Sequence, residues 1–203
     1  MNVTTAPTDI GAGQRCGMSW LGSGTSRQIT CGLALGGLAL RGMGDVVPPD
    51  WMNSEREVLL RFLNKMRSAV IRTSEGLTEE QERAPGVPSG TSLLGIIRHL
   101  TGVEDHWFQR VFLGDDPGSD MSMTVPPELT MDDAVAAYRR ACARSDEAVR
   151  ACPDLSTQAK AVNPGEDGKP TLRAIMAHMI EETGRHAGHA DILREQIDGA
   201  TDL

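Results

Sequence analysis

Apolar residues recur every three or four positions along four separate stretches of this chain, and that spacing admits helices and little else. Val58, Leu59, Phe62, Leu63, Met66 and Val70 fall on one helical face. Ser54-Glu55-Arg56-Glu57 reads as a capping box ahead of them, and Gly76 as the stop. Thr78 to Glu82 can add a short turn before the Ala84–Gly90 loop (APGVPSG). The second stretch starts at Thr91 or Ser92 and runs to Phe112, where Gly114 to Gly118 end it. The third is capped by Thr130 and stops before Pro153, and the fourth runs from its Thr171 cap to about Asp198, with Gly199 beyond. No alternating pattern competes. Aromatic residues are 3% of the chain, so the core must be aliphatic, which favours packed helices over a sandwich. The simplest architecture is an all-α four-helix bundle over residues 49–201.

Residues 1–48 read differently. They are rich in Gly, Ser and Thr and carry no sustained periodicity, so the sequence predicts a disordered tail, or a misassigned start with Met43 as the true one. The apolar run Cys31–Leu40 is half the ~20 residues a membrane span needs, and no charged leader precedes it. A net charge of -8 and the lack of a basic cluster argue against nucleic acid as a partner. Cys16, Cys31, Cys142 and Cys152 form neither a zinc-knuckle spacing nor a disulfide framework, which fits reduced thiols and a cytoplasmic location.

The histidines concentrate the chemistry. His99 and His106 fall on the second predicted helix; His178, His186 and His189 fall on the fourth. At ~100° per residue, with His178 at zero, His189 lies near ~20°, Glu182 near ~40° and His186 near ~80°. The stripe of Leu172, Ile175, Met179, Leu193 and Ile197 spans roughly 60° to 120° on the same wheel, so His186 faces the core and Glu182 borders it. A carboxylate at the edge of a core must be paired or bind a metal, and a His one turn on is its natural companion. His99, beside the stripe of Ile96, Leu100, Val103 and Trp107, can supply a third donor, while His106 reads as nearer the solvent edge. Glu182 can instead pair with Arg185 or Arg98, and His189 competes with Glu182 as a neighbour of His186. Three nitrogen and oxygen donors describe an open, catalytic type of site better than a closed structural one.

The segments Ser92–Gly114 (SLLGIIRHLTGVEDHWFQRVFLG) and Leu172–Gly199 (LRAIMAHMIEETGRHAGHADILREQIDG) together resemble the DinB/YfiT-like superfamily, in its actinobacterial branch known as mini-circle proteins. The resemblance covers about Trp51 to Thr201. It implies a four-helix bundle holding one divalent metal, zinc ahead of nickel or iron, between His99, Glu182 and His186. Many members have His where this chain has Glu182. His178 and His189 are then outer-shell groups or alternative ligands. The resemblance also implies a thiol S-transferase joining a low-molecular-weight thiol, such as mycothiol, to a small-molecule electrophile. The alternative reading is a non-catalytic, stress-linked metal- or ligand-binding module. Met-containing helix faces and a Trp107–Phe108 end read as exposed point to a homodimer.

Overall fold

The computed structural model describes residues 49–201, so the expected tail lies outside the described residues. A single 3₁₀ turn, Asp50–Asn53, leads into α1 (Glu55–Arg72). The short α2 (Glu79–Arg83), α3 (Leu93–Glu104), α4 (Met131–Ala151) and α5 (Leu172–Asp198) follow. α3 continues without a break as a π-helical segment, Asp105–Leu113. Among the described residues there is no strand, only an isolated Gln158–Thr171 bridge. The four long helices form the expected all-α bundle, in which α5 packs mainly along α1 and α3 along α4.

The helix ends obey short-range chemistry, though not always where the sequence pointed. Thr130 accepts from the Asp133 amide and Thr171 from the Ala174 amide. Ser54 makes no capping hydrogen bond. The capping box is instead at Thr78, whose hydroxyl accepts from the Gln81 amide while the Gln81 side chain accepts from the Thr78 amide. Gly114 and Gly199 close their helices in the left-handed conformation, at φ 75° and 79°. α1 ends at Arg72, and Gly76 belongs to the turn beyond it. Thr171 starts the helix that carries Glu182 and His186, and its Ala variant should lose about 1 kcal/mol of unfolding free energy in a urea titration.

Side-chain burial corrects three expectations. In α1 the buried set is Leu60, Leu63, Arg67, Ala69 and Val70, and Phe62 points outward. The helix has turned to bury Arg67, whose guanidinium makes a bidentate pair with Glu104 (2.8 and 2.7 Å) and reaches Asp146 at 2.7 Å. His106 is buried, not at a solvent edge. Trp107 and Phe108 are buried too, so the end of α3 offers no exposed patch and the dimer expectation loses that support. All three lie in the π-helical segment that Gly114 closes.

The core has two apolar clusters. One gathers Leu63, Phe108, Val149, Leu172 and Met179; the other gathers Val70, Leu94, Ile97, Tyr138 and Leu193. Along α1, α4 and α5 the two are separated by buried polar residues: Arg67, Ser145, and Thr183 with His186. A polar layer therefore crosses the middle of an otherwise aliphatic bundle.

Candidate metal centre

The α3–α5 seam is where that layer carries donors. His99 and His186 project from facing helices with ring centroids 4.8 Å apart, tilted by 60°. Glu182, one turn before His186, sets its Oε1 3.2 Å from His186 Nε2 and 3.5 Å from His99 Nε2. One donor atom from each of the three lies within 4.8 Å of the others. The sequence placed these three on facing stripes, and the fold brings them together. His186 is buried; His99 and Glu182 are half-buried.

The remaining sequence candidates stay outside the cluster. His189 is exposed, with its ring 5.4 Å from that of His186. His178 lies against Trp107, ring centroids 4.5 Å apart. His106 Nε2 meets Asn163 Oδ1 at 2.8 Å and takes no part. Arg185 does pair with Glu182, through Oε2 at 3.1 Å, and leaves Oε1 facing the two histidines. Arg98 turns away to Asp120.

Electrostatics prepares the donors. Burial pushes the Glu182 carboxyl up, but His186, the contact with His99 and Arg185 outweigh it and hold the group below its ordinary value. Burial pushes the His186 imidazolium down, and His99 and His189 add to this against the pull of Glu182, so its net shift is downward. An ionised carboxylate beside an imidazole whose charged form burial disfavours is favourable for holding a metal. His99 Nδ1 meets the backbone carbonyl of Met121 at 2.5 Å. A carbonyl can only accept, so Nδ1 carries a proton and Nε2 is the nitrogen turned toward Glu182. His99 Nε2 is buried without a hydrogen-bond partner. Two imidazoles with one carboxylate suit a divalent ion. The part played by the loop carrying Met121 was missed in the sequence. Gly95 and Gly102 inside a helix were its signal, because a helix-interior Gly costs about 1 kcal/mol and asks for a reason.

The cysteines among the described residues are Cys142 and Cys152. Burial drives the Cys142 thiol far above its usual range, with Glu104 adding to the effect. Cys152 is buried and donates to the Asp154 carbonyl. Neither is an activated nucleophile.

The helical bundle is of the DinB/YfiT-like type. Residues 58–199 match the family described as mycothiol-S-transferase, and the chain belongs to that family. A crystal structure of a conserved protein from Enterococcus faecalis shares the fold, with a TM-score of 0.51 and 13% identity over 72% of this chain and 99% of that one. No curated protein matches the sequence. No helix among the described residues is long and apolar enough to cross a membrane.

Proposed function

We propose that this chain is a cytoplasmic, metal-dependent mycothiol S-transferase whose ion, zinc before nickel or iron, is held by His99, Glu182 and His186. The observation that carries this is the convergence of three donors from two helices within 4.8 Å, in a member of a mycothiol-S-transferase family. When bound, a divalent cation supplies the Lewis acidity that lowers the pKa of a thiol brought to it. The protein's own contribution is placement. Glu182 brings the negative charge, burial disfavours the charged form of His186, and His99 is oriented from behind by Met121. In the overall reaction the thiol sulfur bonds to an electrophilic carbon, the leaving group departs with the bonding pair, and the thiol proton passes to solvent. No protein nucleophile is needed, which agrees with the raised Cys142 thiol and the burial of Cys152.

The test is conjugation of monochlorobimane, in which chloride leaves, by zinc-loaded protein. Mycothiol should react well above background and glutathione much less. A chelator should abolish the rate and added zinc restore it. Cys142→Ser should leave it unchanged. No rate above background with mycothiol, bacillithiol or glutathione would remove the transferase reading and leave a binding module.

A further inference from the structure

The connection between the π-helical segment and α4 does not loop out into solvent. Residues 119–124 run back along α3, against the face carrying Gly95, His99 and Gly102. These three follow at i, i+4 and i+7 and therefore share one side of the helix. A Cβ at Gly102 would stand 2.2 Å from the Asp120 carbonyl oxygen, and one at Gly95 would stand 2.7 Å from that of Met123. Both are closer than side-chain carbons come to backbone atoms. The segment is thus a strap, seated at two points where only a hydrogen atom fits, and His99 lies between them.

At that position the Met121 carbonyl meets His99 Nδ1. Arg98, the preceding residue, ties the strap on both sides of Met121. It donates to the Ser122 carbonyl and pairs with the Asp120 carboxylate. Asp120 in turn accepts from the Ser122 amide at 2.8 Å, which stiffens the bend. Strap, arginine and glycines together fix which His99 nitrogen carries a proton and which way the ring faces.

We infer that the strap of residues 119–124 is a positioning element of the metal centre, with Gly95 and Gly102 seating it, Arg98 and Asp120 fastening it, and the Met121 carbonyl holding His99 with Nε2 toward Glu182. The inference rests on the ligand set proposed above for its metal-binding consequence only. The tautomer of His99 is a property of the metal-free protein. Groups that orient a metal-ligating His are typically worth ~10–100-fold in metal affinity.

The experiment uses the full chain, wild type, Arg98→Met and Gly102→Ala. Nitrogen-15 shifts of the His99 ring are read without metal, zinc affinity is read by competition with a chromogenic chelator, and melting temperature is read alongside. Wild type should show the Nδ1–H tautomer. Arg98→Met should lose that preference and weaken zinc binding by about 10–100-fold. Its melting temperature should fall only slightly, since the Asp120 partner is exposed and the strap keeps its seats at Gly95 and Gly102. Gly102→Ala should show the same affinity loss by unseating the strap, with a larger fall in melting temperature. A wild-type Nε2–H tautomer, or unchanged tautomer and affinity in Arg98→Met, would overturn the inference. If wild type bound no zinc yet Arg98→Met still lost the tautomer preference, the metal reading would fall and the strap's hold on His99 would stand.

Discussion

Glu104→Ala should be the most destabilising single substitution in the bundle, lowering the unfolding free energy by about 3–5 kcal/mol. Glu104 is fully buried and Arg67 is 3% exposed. Two of the guanidinium's bonds go to Glu104, and the others reach Asp146 and Asn64. Without Glu104 the Arg67 charge stays buried with only part of its compensation, whereas the pair itself stabilises little beyond its desolvation cost. The pair of substitutions Arg67→Met and Glu104→Leu should therefore cost far less than either alone, a non-additivity that a double-mutant cycle in urea would measure. Since a domain of this size has about 5–15 kcal/mol in hand, the single variant should be marginal at physiological temperature. Additive losses would mean that the network is not the coupled unit its geometry describes.

That network also marks where the sequence stopped being readable. Helical spacing gave the four long helices, and Thr130, Thr171, Gly114 and Gly199 gave four of their eight ends, because caps act within a few residues. Arg67 was invisible as a core residue: its burial depends on Glu104, thirty-seven positions away, and no local pattern encodes that pairing. The same holds for the π-helical segment. An α-helical wheel sends His106 and Phe108 to different sides, yet both are buried. The donor set was readable for the opposite reason. Glu182 and His186 are one turn apart and so define a half-site locally, and His99 borders the stripe that must face α5. The strap behind His99 was not, since nothing in residues 119–124 announces a carbonyl aimed at an imidazole. Only the glycines opposite it leave a trace.

Metal content should depend on His186 more than on any other histidine. Three-donor sites seldom survive on two, so His186→Ala purified without a polyhistidine tag should retain little of the zinc bound by wild type. The stability readout separates ligand loss from misfolding. Zinc at a thousandfold excess over its dissociation constant should stabilise the wild-type domain by about 4 kcal/mol through mass action. At about 2–4 °C per kcal/mol for a domain of this length, that is a rise of roughly 8–16 °C in melting temperature. His186→Ala should show almost none of this rise while melting cooperatively without metal. His106→Ala is the control. It leaves the zinc-dependent rise intact but lowers the metal-free melting temperature, since His106 is buried and its bond to Asn163 ties the loop after α4 to the π-helical segment. Equal zinc-dependent rises in His186→Ala and wild type would exclude His186 as a ligand. A loss of that rise in His106→Ala would move the centre along the seam, toward Trp107 and His178.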